Sequence, residues 1–218
     1  MKLGVLVSGR GSNLEAVLTA VAEGRLEAVE PVVVVSNRAG CRALDVASRF
    51  GVQSRCFERG DFPSGEARDG RIGQAMTDAG ADIVLLAGYD QLLRGTYFER
   101  FAGRTINVHP SLLPLHGGKG MMGLAVHTSV LAAGDAETGV TIHEVTRDLD
   151  AGPPILQVRA PVLAGDTPER LAERVLAVEH LCVVEVLAGI AGDAAGARGI
   201  AIQPSGGGTG DTGSQQSR

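Results

Sequence analysis

The chain has 218 residues, of which 44% are hydrophobic, 21% charged and 3% aromatic, with no Trp. At roughly 100–200 residues per domain this predicts one domain around an aliphatic core, and the apolar share excludes a wholly disordered chain. The formal net charge of −5 argues against a nucleic-acid binder, which would show a basic patch, so an anionic substrate must be caught by local geometry.

The N-terminus, MKLGVLVSGRG, is too short in apolar residues for a secretory signal. The longest aliphatic run, 32–35, falls far below the ~20 apolar residues of a transmembrane helix. A cytoplasmic protein without a membrane segment is expected.

Residues 2–7 read as an apolar strand, followed at once by SGRGSN at 8–13. Leu14, Val17, Leu18 and Val21 fall at helical spacing, with Ser12 or Asn13 as N-cap and Gly24 as stop. Residues 31–36 (PVVVVS) form a strand β-branched on both faces, hence buried on both sides. Helices are predicted at 43–50 and 66–79, and strands at 52–57 and 83–87. This alternation implies an α/β fold: a doubly wound, mostly parallel central sheet with helices on both faces. Residues 104–109 make a further strand, ended by Pro110. A Gly-rich loop covers 117–123, and a helix 124–133. Two strands, 138–146 and 155–162, flank LDAGP. Thr167, Pro168 and Glu169 open a last helix that runs to about residue 188. The expected division is one domain over 1–190, with halves at 1–103 and 104–190, and a tail over 191–218. Within the tail, the Gly/Ser/Thr/Gln-rich 206–218 is predicted to be disordered. Cys41, Cys56 and Cys182 are odd in number and scattered, and read as free thiols in apolar surroundings rather than a disulfide or zinc framework.

Three motifs could carry chemistry. In SGRGSN the glycines allow close backbone approach, and free N–H groups at a helix start make an anion site. The pattern lacks the third Gly of a dinucleotide site and the Gly-Lys-Ser/Thr of a triphosphate loop, so it suggests a monophosphate. A ligand-free tight turn is the alternative. In NVHPSLLP, strand alternation points Asn107 and His109 to one face and Val108 to the core. At the carboxyl end of a strand, where ligands of open α/β sheets bind, both side chains can donate to a developing oxyanion. His can also move a proton near neutral pH. Asp150, in LDAGP, is explained by turn chemistry alone. Alternatively it lies beside His109, where a carboxylate stabilises the imidazolium and orients the ring. His143, on the 138–146 strand, is a candidate to face the same site. His116, His127 and His180 read as structural or surface residues.

SGRGSN, AGY at 87–89, NVHPSLLP at 107–114 and LDAGP at 149–153, in this order, resemble the phosphoribosylglycinamide formyltransferase family over about 1–190. The SLLP loop is common to folate-dependent formyltransferases; SGRGSN narrows the resemblance. It implies a formyltransferase-like fold with a Rossmann-type, phosphate-binding first half and a folate and catalytic second half. The implied reaction moves a formyl group from N10-formyltetrahydrofolate, a co-substrate, to the amine of glycinamide ribonucleotide in purine biosynthesis. The family's catalytic trio falls on Asn107, His109 and Asp150. Asn107 and protonated His109 would stabilise a tetrahedral intermediate, assisted by Asp150, with no metal. The phosphate loop falls on Gly11, Ser12 and Asn13, and a ribonucleotide contact on Glu179. The pteridine pocket falls on Tyr89, Asp90, Gln91, Leu92 and Leu93 and on the loop before Asp150. No nucleic-acid or membrane partner is implied, and the oligomeric expectation is a monomer or homodimer.

Two departures stand out. Asp90-Gln91 replace the Met and basic residue common in the family. Where many members have an aromatic-Pro-Gly stretch, HGGKGMM stands at 116–122; it resembles a variant loop of some members, and reads either as a flap placing Lys119 near an anionic ligand or as a surface loop. The runner-up is another formyl-folate transferase or hydrolase of the same fold. A hydrolase would be expected to add an N-terminal regulatory domain, and a tRNA formyltransferase a C-terminal nucleic-acid module. A strand opening at Lys2 and a Gly/Ser-rich end lead us to expect neither. A non-catalytic phosphate-binding module would scatter Asn107, His109 and Asp150 beyond about 8 Å, outside the reach of one bridging water.

Overall fold

The computed structural model describes residues 1–195; the predicted disordered stretch 206–218 lies outside them. Seven strands form one sheet in the order β3-β2-β1-β4-β5-β6-β7. The strands are β1 (Lys2–Val7), β2 (Glu30–Ser36), β3 (Ser54–Cys56), β4 (Ile83–Leu86), β5 (Arg104–His109), β6 (Glu137–Glu144) and β7 (Pro154–Pro161). The first five run parallel; β5 pairs antiparallel with β6, and β6 with β7. The helices are α1 (Ser12–Ala22), α2 (Arg42–Arg49), α3 (Gly65–Asp78), α4 (Gly95–Arg100), α5 (Leu124–Ala133) and α6 (Pro168–Ala195).

Strand parity builds two cores. Leu3, Val5 and Val7 of β1, Val34 of β2 and Ile106 and Val108 of β5 point to one face, where α1, α2, α5 and α6 cover them. Leu6, Val33, Val35, Val84 and Leu86 point to the other, against Ile72 and Met76 of α3 and Tyr97 of α4. Burial on both faces is why these strands are aliphatic without alternation. Gly73 lets α3 settle onto α4: a Cβ there would lie 2.6 Å from the Tyr97 carbonyl oxygen.

Several expectations need correction. The N-cap of α1 is Gly11, not Ser12 or Asn13, and no side chain caps it. Gly11 has φ 77°, and a Cβ there would sit 2.7 Å from Ala43 Cβ, so neither a side chain nor a right-handed backbone fits. β3 is shorter than 52–57, and α4, only six residues long, has too few positions to show a period. Of the three thiols only Cys182 is buried; Cys41 and Cys56 are half-buried.

The last helix also differs, running to Ala195 rather than residue 188. By length and composition its segment Pro168–Asp193 is apolar enough to cross a membrane. An uninterrupted-run criterion overlooks it because Arg174, Glu179 and Glu185 break the run. Here Leu171, Val175, Cys182, Val183, Val186 and Leu187 are buried in the core. That stripe packs against α1, α5, β6 and β7.

Candidate active site

The chain reverses direction across the sheet between β1 and β4, so the loops leaving these two strands part and open a cleft at their carboxyl ends, as open α/β sheets do at such a switch point. The cleft encloses about 880 Å³ and is lined by both loops, the end of β5, and the segments 118–124 and 145–150.

One end is the start of α1. Glu15 N–H is bonded to the Gly11 carbonyl at 2.8 Å, so the N–H groups of Ser12, Asn13 and Leu14 precede the first intrahelical bond. Free N–H groups and the helix dipole together favour an anion. Asn13 Nδ2 donates to Glu179 Oε2 at 2.6 Å, tying the loop to α6. Burial pushes the Glu179 carboxyl up, against the Asn13 bond and the Arg10 charge. Gly11, Ser12, Asn13 and Glu179 all line the cleft.

At the other end, Asn107 on β5 stands opposite His143 on β6. The β6–β7 register slips between Ile142 and His143, a bulge of the kind that re-aims side chains beside functional sites. His143 Nδ1 faces the Glu144 carbonyl at 2.9 Å. A carbonyl only accepts, so Nδ1 carries the proton. Nε2 of the neutral ring then accepts from Asn107 Nδ2 at 3.1 Å. Burial pushes the His143 imidazole down, which favours that neutral form. Asn107 keeps its second N–H for the cleft.

His109 and Asp150 complete the cluster. His109 is 4% exposed, and its Nε2 lies 2.9 Å from the His116 carbonyl. That acceptor fixes the proton on Nε2 and leaves Nδ1 toward Asp150, 3.9 Å from Oδ2. Asp150 Oδ1 is 3.8 Å from His143 Nε2, and Oδ2 accepts from Gly118 N–H at 2.8 Å. Asp150 has φ 53°, and Gly152 makes the turn possible, since a Cβ there would lie 1.8 Å from the Glu144 carbonyl. Asn107, His109, His143 and Asp150 are thus brought together.

Tyr89, Asp90, Gln91, Leu92 and Leu93 line the same cleft. Asp90, however, is occupied within the protein. Its carboxylate accepts from Asn37 Nδ2 at 2.7 Å and pairs with Arg38, while its N–H donates to Ser8 Oγ at 2.9 Å. Burial would raise that carboxyl, but bonds with Asn37, Ser8 and Gln91 and the Arg38 charge hold it below the usual range. Burial pushes the Tyr89 phenol far up. Leu92 and Leu149 are each 46% exposed and give the cleft mouth apolar edges. Lys119 lines the cleft as well.

Two further histidines adjoin the site. His127 is buried and faces the cleft, and its Nδ1 has no partner among the described residues. His116 holds the acceptor for His109. Its φ of 53° is uncommon for a residue with a Cβ, and no local pattern announces it.

Residues 1–187 match the formyl transferase family. The phosphoribosylglycinamide formyltransferase of Escherichia coli (strain K12) is 37% identical over 180 residues, covering 83% of this chain and 82% of that protein. The trifunctional purine biosynthetic protein adenosine-3 of Bos taurus is 39% identical over 179 residues, of which this chain spans only 17% of the length. The glycinamide ribonucleotide transformylase 1 structure from Symbiobacterium toebii superposes with a TM-score of 0.82 at 40% identity, covering 88% of each chain. The match runs from β1 through the β6–β7 hairpin into α6, and on that extent the chain belongs to the formyl transferase family.

Proposed function

We propose that this protein is a phosphoribosylglycinamide formyltransferase, moving the formyl group of N10-formyltetrahydrofolate to the amine of glycinamide ribonucleotide. The observation that carries the reading is one cleft with two unlike ends. One offers helix N–H groups to a phosphate; the other holds Asn107, His109 and Asp150, with His109 and Asp150 3.9 Å apart. Leu86, Leu93, Val145 and Leu149 also line the cleft and give it apolar walls, suited to a flat heteroaromatic ring beside exposed backbone.

In this reading Ser12 and Asn13 hold the ribonucleotide phosphate with their backbone N–H groups, and Glu179 contacts its sugar. That leaves the amine near the formyl carbon. As the C–N bond forms, negative charge grows on the formyl oxygen. Asn107 donates its free N–H to that oxygen, and His109, protonated, donates from Nδ1. Asp150 faces the resulting cation and takes the proton shed by the attacking amine. That proton passes to N10 as the old C–N bond breaks, so charge and protons balance without a covalent enzyme intermediate. His143 keeps Asn107 aimed.

The test follows loss of the formyl group from N10-formyltetrahydrofolate with and without glycinamide ribonucleotide. Turnover only in the presence of the ribonucleotide is expected. Equal loss without it would replace the proposal with a hydrolase, and no loss in either case would remove the formyl-folate reading.

A further inference from the structure

The stretch 116–122 differs from the aromatic-Pro-Gly stretch of many family members, and its first residue is tied down through both ring nitrogens. His116 Nδ1 lies 2.8 Å from Ser129 Oγ on α5, and Nε2 lies 2.7 Å from Asp135 Oδ2, just beyond the end of α5. Both ring nitrogens are therefore engaged. The preceding residues are pinned separately. Leu113 N–H donates to Thr141 Oγ1 at 3.0 Å, Gln157 Nε2 donates to the Leu113 carbonyl at 2.8 Å, and Ser111 Oγ donates to the Leu115 carbonyl at 2.6 Å.

Beyond Leu115 the chain passes through His116 into Gly117 and Gly118, neither of which has a side chain to anchor it. Two backbone groups in this stretch grip the reactive pair: the His116 carbonyl accepts from His109 Nε2–H, and Gly118 N–H donates to Asp150 Oδ2. Gly117 packs closely beside Leu113: a Cβ there would lie 2.5 Å from the terminal methyl carbon Leu113 Cδ2. The only side chain of the three residues that can fix this backbone is that of His116.

We propose that His116, clamped to α5 by Ser129 and Asp135, is a positioning residue for the His109–Asp150 pair, and selects which ring nitrogen of His109 faces the cleft. This rests on the proposed formyl transfer for its kinetic consequence, though not for its geometry. When the clamp holds, the His116 carbonyl keeps the proton of neutral His109 on Nε2. Nδ1 is then the atom that gains and loses a proton opposite Asp150. When the clamp is cut, the 116–118 backbone relaxes, both acceptor and donor drift, and the two neutral tautomers of His109 mix.

The test compares wild type with Asp135→Ala, Asp135→Asn and His116→Gly. The Gly variant cuts the clamp while suiting the left-handed backbone at 116, so it keeps the question open to measurement if Asp135→Ala fails to fold. Histidine-selective 15N NMR reads the His109 tautomer, and kcat and KM are followed against pH. Asp150, His143 and His127 all lie around His109, so the variants are compared with a His127→Asn control. Asp135→Ala and His116→Gly are expected to mix the tautomers and to lower kcat roughly 10- to 100-fold, the scale set by displacing a positioned group by about 1 Å. The ribonucleotide KM should hold. Asp135→Asn, which keeps an acceptor, should restore most of both. Folded Asp135→Ala or His116→Gly protein with an unchanged His109 tautomer and an unchanged kcat profile would overturn the proposal. If wild type does not formylate the ribonucleotide, the proposed function falls, while the tautomer comparison still decides the positioning role.

Discussion

At the scale of single residues, the site depends on hydrogen bonds with fixed direction. Asn107 can offer an N–H to an oxyanion because His143 accepts the other one. Asn107→Ala should therefore lower kcat about 10²–10³-fold, the usual cost of removing one oxyanion donor, with little change in KM. Steady-state kinetics check this, and a rise in KM at constant kcat would assign Asn107 to binding instead. Buried ionisable groups also give stability a pH dependence of predictable sign. Burial lowers the His127 imidazole from its ordinary 6.5. Its stabilising share is present above that value and is lost as pH falls through the lowered one. Glu179 runs the other way. Burial raises it above 4.5, so its share is present below that value and is lost as pH rises through the raised one. Thermal melts over pH 4.5–7 should show wild type gaining on His127→Asn as pH rises and gaining on Glu179→Gln as pH falls; parallel curves would contradict both assignments.

At the scale of elements, close approach is set by small residues rather than by propensity. Gly73→Ala would push a Cβ into the Tyr97 carbonyl and force α3 from α4. Overpacking of this kind costs about 1–3 kcal/mol. A chain of this size loses about 2–4 °C of Tm per kcal/mol. Calorimetry reads it, and an unchanged Tm would mean that the two helices slide apart freely. Elements also mark what the sequence could show. The parity of Asn107, Val108 and His109 fixes their faces once β5 is recognised, and SGRGSN between a strand and a helix is legible from chain order alone. Asp150 is different. It meets His109 only because β6 returns antiparallel beside β5 and the turn at Gly152 folds back on Glu144. No local period encodes that meeting. The left-handed His116 is equally hidden, because its ring partners, Ser129 on α5 and Asp135 just beyond it, lie 13 and 19 residues along the chain.

At the scale of the whole molecule, one sheet reversal explains why two different ligands could meet. The parallel half brings a helix N-terminus to the cleft from β1, and the antiparallel hairpin brings an acid and a histidine to it from β6 and the following loop. The −5 net charge gives no long-range pull on a phosphate, so in the proposed reaction its capture falls to local groups such as the N–H groups of α1. In the proposed reaction Asn107, His109 and Asp150 carry out transfer within a complex of both substrates. The most direct measurement is the single-turnover rate of formyl transfer in Asp150→Asn against wild type, with both ligands saturating and their Kd values measured separately. Kd values near those of wild type and a rate at least about 10²-fold lower are expected, as befits loss of a group that acts on the reacting proton. A rate within a few-fold of wild type would contradict that role.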